Sequence, residues 1–309
     1  MSSCNILVTG GQGFLGKTLQ RSVHKNSIDK RFTFLSKKDV DLFNQDEVNS
    51  FFNDMNFDCV INLASSRISG ISGEMNTYQT FLENNLINNN VFNSSLNTGI
   101  KNFINIGSSS IYPPSQDKIT ENNLLTGDPD PGNFYYSLSK LIFTRFLIEV
   151  DRRSDLHYKS LIVPNLFGPG GERSPERSHL INAILSKMHS FSKTPTKHIE
   201  IWGDGKARRE FLYAQNLTDY LTDYAIDNID VLPSIMNLGE DEDFEIIEYY
   251  NIVAKILSLE PRYEYLLDKP VGAKKKLMDS SLAKKFKWSP RINTIKGIEK
   301  LNEYEKNLY

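Results

Sequence analysis

Short apolar runs alternate along the chain with stretches whose apolar residues recur every three or four positions. Asn5-Ile6-Leu7-Val8-Thr9 predicts a strand that ends in glycines, and Leu15, Leu19 and Val23 behind it mark one face of a helix. Phe32-Thr33-Phe34-Leu35 reads as a second strand, Glu47 to Phe52 as part of a helix, and Cys59-Val60-Ile61-Asn62-Leu63-Ala64 as a third strand. Phe81, Leu86, Val91 and Leu96 have helical spacing, and Phe103-Ile104-Asn105-Ile106-Gly107 reads as another buried strand. Strands alternating with helices imply a parallel sheet covered on both faces.

The segment 113–134 is rich in Pro, Gly, Asp and Asn and reads as a loop. A helix is expected from near Tyr136 through Leu147, then a strand at Leu161-Ile162-Val163 closed by Pro164. Beyond that point the alternation becomes irregular. Gly168-Pro169-Gly170-Gly171 opens a loop, Leu180 to Met188 predicts an amphipathic helix, and Glu299 to Tyr309 a charged surface helix. The expected fold is α/β, a Rossmann doubly wound parallel sheet with a second, smaller α/β substrate domain. Residues 1–163 plus about 211–236 would form the first domain, and about 164–210 plus 237–309 the second.

Composition narrows the class without identifying the chemistry. Hydrophobic residues make up 39% and charged residues 24% of 309 residues, values of a globular chain. A net charge of −2 gives no general reason to bind nucleic acid or an anionic membrane. No apolar run reaches the roughly 18–20 residues of a membrane span. Met1 to Asn5 lead straight into a strand pattern with no basic segment, which argues against a secretory leader. Cys4 and Cys59 have no metal-ligand or redox spacing, so reduced thiols in a cytoplasmic protein are expected.

Gly10-x-x-Gly13-x-x-Gly16 follows the first strand and opens the first helix. Glycines in that place permit a tight turn and let backbone approach a pyrophosphate, whose charge the helix N-terminus favours. A NAD site carries an acidic residue at the end of the second strand, on the ribose 2′-hydroxyl. Here that strand ends in Ser36-Lys37-Lys38, with no carboxylate before Asp39. Two cations and a hydroxyl suit a 2′-phosphate, so NADP(H) is the expected cofactor. Asp41-Leu42 is placed to meet the adenine.

Tyr136 and Lys140 lie one helical turn apart, so both side chains share a face. A tyrosine with its ordinary pKa of about 10 is a poor proton donor near neutrality, and an adjacent ammonium lowers that value. Ser108, at the end of the strand Phe103–Gly107, is placed to donate a hydrogen bond to a substrate carbonyl. Carbonyl reduction follows: hydride from the cofactor, proton from Tyr136.

The glycine loop, Ser108, Tyr136 and Lys140 in this order resemble the extended short-chain dehydrogenase/reductase family. Further stretches resemble its GDP-L-fucose synthase branch, the GDP-4-keto-6-deoxy sugar epimerase/reductases. They are Gly107-Ser108-Ser109-Ser110-Ile111-Tyr112-Pro113, Val163-Pro164-Asn165-Leu166-Phe167-Gly168-Pro169, Ser178-His179-Leu180-Ile181, Ile201-Trp202-Gly203-Asp204-Gly205, Arg208-Arg209-Glu210-Phe211-Leu212 and Lys275-Lys276-Leu277-Met278-Asp279. The resemblance implies a nucleotide-sugar pocket lined by Ser109, Asn165, His179, Leu180, Lys187, Trp202, Arg209 and Lys276. Cofactor contacts are expected from Gly10, Gln12, Gly13, Phe14, Leu15, Gly16, Ser36, Lys37, Lys38, Asp41, Leu42, Leu63, Ala64, Ser65, Tyr136, Lys140, Pro164, Asn165 and Phe167. Arg209 and Lys276 can supply the cations a sugar diphosphate needs. For Trp202 a plain core role stays open, as does a solvated one for Lys187. A homodimer through helices near 81–98 and 136–150 is implied by the resemblance alone.

One position departs from the family. Its bifunctional members epimerise C3 and C5 of a 4-keto sugar with a cysteine and a histidine before reducing C4. His179 matches the histidine, but Ser110 stands at the cysteine position. A thiol of pKa about 8.5 can be tuned into a working base, whereas an isolated hydroxyl cannot. The expected activity is therefore C4 reduction of a GDP-linked 4-keto sugar, a 6-deoxyhexose or a heptose, with little epimerisation, in surface glycan precursor synthesis. Full GDP-L-fucose synthase activity and a silent NADP-binding regulatory protein remain as alternatives. A 4-epimerase or 4,6-dehydratase is disfavoured by Lys37 and by the lack of a carboxylate pair beside Ser108. Residues 66–74 are expected to bear on which sugar is taken.

Overall fold

The computed structural model describes residues 4–26, 31–66, 77–115, 117–171, 180–193, 198–269 and 271–306. Strand β1 (Asn5–Thr9) runs into helix α1 (Phe14–Asn26), then β2 (Arg31–Phe34), α2 (Gln45–Asp54), β3 (Cys59–Asn62), α3 (Tyr78–Asn97) and β4 (Asn102–Ser108). Helix α4 (Phe134–Arg153) and β5 (His157–Val163) complete the regular alternation. The helix expected from Tyr136 thus begins two residues earlier. The segment read as loop before it holds two 3₁₀ turns, Glu121–Asn123 and Pro131–Asn133.

The remaining elements are β6 (Asn165–Phe167), α5 (Leu180–Lys193), β7 (Ile199–Trp202), β8 (Arg208–Arg209), β9 (Phe211–Tyr213), α6 (Ala214–Tyr220) and β10 (Ile235–Asn237). Then come β11 (Phe244–Glu245), α7 (Ile246–Leu257), β12 (Tyr263–Leu266), α8 (Ser281–Lys285) and α9 (Thr294–Lys306). Local chemistry sets several boundaries. The Asn44 side chain accepts from the Asp46 and Glu47 amides to start α2, and Glu245 with Glu248 forms a capping box for α7. Ser258, in the left-handed region at φ 54°, ends α7.

Six strands form one sheet in the order β2-β1-β3-β4-β5-β10, every pair parallel. Alternation decides which helices cover each face. Ile6, Val8, Ile61, Ile104 and Leu161 pack with Leu19, Leu217 and Trp288 on one side. Leu7, Val60 and Phe103 pack with Val48, Phe52, Val91 and Phe143 on the other. Each such aliphatic side chain, wholly buried, contributes about 1.5–3 kcal/mol. The strand order reverses between β1 and β3, and open α/β sheets bind ligands beyond the strand ends at such a switch point.

A separate core joins α5, α7 and α9 with the pairs β6–β9 and β7–β12, through Phe167, Ile184, Ile201, Phe211, Tyr249 and Leu301. The Glu210 carboxylate, 2% exposed, accepts from the amides of Glu240 at 2.7 Å, Asp241 at 3.0 Å and Met278 at 2.9 Å. It binds the strand carrying Arg209 to the strap carrying Lys276. Among the described residues no helix is long and apolar enough to cross a membrane.

Candidate active site

After β1 the chain turns through Gly10 to Gly13 before α1 begins. Gly10 takes φ +66°, and a Cβ there would lie 2.9 Å from the Ala64 nitrogen. A Cβ on Gly16 would sit 2.5 Å from the carbonyl oxygens of both Gly10 and Gly11. Glycine alone fits, so the loop, the end of β3 and the first turn of α1 close on one another. The Thr9 hydroxyl fixes the same corner by accepting from the Leu63 and Ala64 amides, each at 3.2 Å. Gly10, Gln12, Gly13, Phe14, Leu15 and Gly16 line a cavity of about 1010 Å³, together with Leu63, Ala64 and Ser65. This cradle fits a dinucleotide pyrophosphate at the positive end of α1.

Ser36, Lys37, Asp41 and Leu42 line the next stretch of the cavity. The Lys37 ammonium stands 5.9 Å over the Phe43 ring. The carboxylate of Asp39 folds back to accept from the Ser36 amide at 2.8 Å and hydroxyl at 2.6 Å, which holds it below the usual carboxylate range. Lys37 therefore lines the cavity and Asp39 does not.

The candidate catalytic residues come together from β4, the 3₁₀ turn Ser109–Ile111 and α4. Ser108, Ser110, Tyr136 and Lys140 all line the cavity. The Ser108 hydroxyl receives a hydrogen bond from the Ser110 hydroxyl at 3.0 Å and itself bonds the Tyr136 phenol. Burial pushes the Tyr136 phenol up to about 12, partly opposed by Ser108. Lys140, 4% exposed, donates to the Ile106 carbonyl at 3.2 Å, and burial brings it down to about 8. In this structure the influence opposing burial at Tyr136 is Ser108, while Lys140 donates to a carbonyl of β4.

The opposite wall belongs to the second core. Lys187 donates to the Glu200 carbonyl at 3.0 Å and lies 3.5 Å from the Tyr250 hydroxyl. Burial lowers its pKa, so it is no solvated helix residue. Trp202 is 37% exposed at the cavity rim rather than core. Arg209 donates to the Arg208 carbonyl and the Val271 carbonyl, each at 2.8 Å. Lys276 reaches the Asp130 carboxylate at 3.0 Å.

Pro164, Asn165 and Leu180 also line the cavity. Three expected contacts lie outside it. Phe167 is buried in the second core against Phe211 and Tyr213, Ser109 is buried within its 3₁₀ turn, and Lys38 is exposed on the turn after β2. His179, and most of the 66–74 segment, lie outside the described residues. Conversely, Asp130, Tyr250, Glu200 and Val271 line the cavity without having been singled out from sequence. Asp130 carried only turn signals and Tyr250 only helical spacing.

A glycine cradle at a sheet switch point, joined to a Ser–Tyr–Lys set in one cavity, defines a dinucleotide-dependent oxidoreductase of the extended short-chain dehydrogenase/reductase type. The chain belongs to the NAD dependent epimerase/dehydratase family, whose model matches residues 6–239. It is 34% identical over 308 residues to a GDP-L-colitose synthase of Yersinia pseudotuberculosis, covering 98% of this chain and 99% of that relative. It is 31% identical to a GDP-L-fucose synthase of Azorhizobium caulinodans, covering 97% and 95%. In fold it is similar to a GDP-6-OMe-4-keto-L-xylo-heptose reductase from C. jejuni, with a TM-score of 0.88, 22% identity and coverage of 100% and 99%. A GDP-mannoheptose C4 reductase from Campylobacter jejuni with NADP bound matches with a TM-score of 0.87, 23% identity and 99% of both chains.

Proposed function

We propose that the chain is an NADPH-dependent C4 reductase of a GDP-linked 4-keto sugar, a 6-deoxyhexose or a heptose, with little C3/C5 epimerase activity, serving surface glycan precursor synthesis. The observation that carries this reading is one continuous cavity with the Ser108–Tyr136–Lys140 set on one wall and Lys187, Arg209 and Lys276 on the other. The names of the relatives and neighbours given above, each an enzyme of a GDP-linked sugar, support the substrate class.

Gly10 to Gly16, Ser36 and Lys37 would hold NADPH, with Leu63 to Ser65, Pro164 and Asn165 along it. Bound there, it supplies the hydride. The Ser108 hydroxyl polarises the C4 carbonyl, and the buried Tyr136 phenol, protonated at neutral pH, delivers a proton to the developing alkoxide. The Lys140 ammonium favours the phenolate left behind. Trp202 offers an aromatic face to the base or sugar. Ser110, committed as donor to Ser108, supports reduction rather than proton abstraction.

The division into domains, 1–163 plus about 211–236 and about 164–210 plus 237–309, belongs to this reading. So does a cytoplasmic location, where the cofactor and nucleotide sugar would be met. A homodimer is supported by apolar side chains exposed at helical spacing on the packed pair α3 and α4, Leu82 with Leu86 and Ile142 with Phe146. Bifunctional GDP-L-fucose synthase activity is the second reading, favoured by the names of the sequence relatives. NADPH oxidation against a panel of 4-keto GDP sugars, with product stereochemistry determined, tests the proposal. Turnover without washout of C3 and C5 hydrogens in heavy water is expected. Washout faster than reduction would establish the second reading, and no turnover with intact NADPH binding would point to a regulatory binder.

A further inference from the structure

Asp130 stands where three parts of the cavity meet. Its backbone amide donates to the Ser110 carbonyl at 3.0 Å, fixing it beside the turn that carries the active serines. Its Oδ1 accepts from the Gly132 amide at 2.9 Å and starts the 3₁₀ turn Pro131–Asn133, which runs directly into α4 and Tyr136. Its Oδ2 takes the Lys276 ammonium at 3.0 Å from the opposite wall, with both side chains mostly buried at 18% and 15% exposure. Lys276 and Arg209 each feel the Asp130 charge, and the Arg209 cation repels that of Lys276.

Two neighbouring buried cations without a counter-charge would be costly, and one carboxylate between them offsets that. The group leaves one net positive charge facing the cavity. An anionic diphosphate arriving there can take over the neutralising role.

Resting on the nucleotide-diphosphate reading above, we propose that Asp130 is a positioning residue. It neutralises Lys276 beside Arg209 until a diphosphate takes over that role, and it ties Lys276 to the first turn of α4. Burial alone would raise the Asp130 carboxyl, but Lys276, the Gly132 amide and Arg209 outweigh it and keep the group ionised. The side chain therefore acts as a fixed charge and not as a proton carrier.

The test uses Asp130→Asn and Asp130→Ser, which both keep an acceptor for the Gly132 amide and remove the charge. Affinities for GDP, UDP and inorganic pyrophosphate are measured by calorimetry, alongside kcat, KM and NADPH affinity. Removing the carboxylate raises the local positive charge, so GDP and pyrophosphate bind about three- to tenfold more tightly. With Lys276 no longer tied to the first turn of α4, kcat falls about tenfold while NADPH affinity holds. In a Lys276→Gln background, the same Asp130 substitution moves GDP affinity much less. A residue with a merely structural role would weaken ligand binding and turnover together. Unchanged or weaker pyrophosphate binding, or an unchanged kcat, in a variant that folds overturns the proposal. Wild-type protein that binds pyrophosphate but does not prefer GDP to UDP sinks the guanosine reading, and the inference is then judged on pyrophosphate alone.

Discussion

The Ser110 hydroxyl donates to the Ser108 hydroxyl at 3.0 Å, and Ser108 in turn bonds the phenol of Tyr136. The residue at the family's cysteine position is thus hydrogen-bonded to the Ser108–Tyr136 pair, and under the proposed function it serves reduction. Ser110→Ala is expected to lower kcat about three- to tenfold with NADPH affinity unchanged, as loss of one oriented hydrogen bond would. Ser110→Cys is expected to introduce measurable C3 or C5 exchange in heavy water. Wild-type kcat in the alanine variant would show that the serine pair plays no part.

Tyr136→Phe removes the proton donor and should cost a factor of about 10² to 10⁴ in turnover while NADPH still binds. The Lys140 ammonium is buried and titrates at about 8. Its charged form prevails below that value and is lost as the pH rises through it, so turnover should decline on the alkaline side of about 8. The Tyr136 proton is kept until about 12 and does not set this limb. A rate profile flat to pH 10 would contradict the assignment.

Gly16→Ala forces a Cβ to within 2.5 Å of two backbone oxygens, which no rotamer change can relieve. The loop must open, so NADPH affinity should fall at least tenfold, read by fluorescence titration, with a lowered Tm. Unchanged affinity would mean that the loop does not hold the pyrophosphate.

Lys159 and Asp151 form an ion pair at 2.8 Å, with exposures of 5% and 7%, at the base of β5. Asp151 also accepts from the Ser234 hydroxyl at 2.6 Å and the Tyr158 amide at 3.0 Å. Asp151→Ala strands a buried ammonium and should cost about 3–5 kcal/mol in denaturant unfolding. Adding Lys159→Met should recover part of that loss.

Periodicity and glycine placement determined the parallel α/β framework, because alternation along a strand and spacing along a helix are local properties of the chain. The same holds for Tyr136 and Lys140, one helical turn apart, and for Lys37 following β2. Elements without strong periodicity were harder to read, and the 3₁₀ turn before α4 rests on an Asp130 contact to Gly132 that composition does not specify. Phe167 matched a family stretch, yet packing against Phe211 and Tyr213 took it into the second core. Only the tertiary structure brought Asp130 to Lys276, 146 residues apart in the chain, and Lys187 to Tyr250. Such pairs depend on how two cores meet across one cavity, and no local pattern carries that distance.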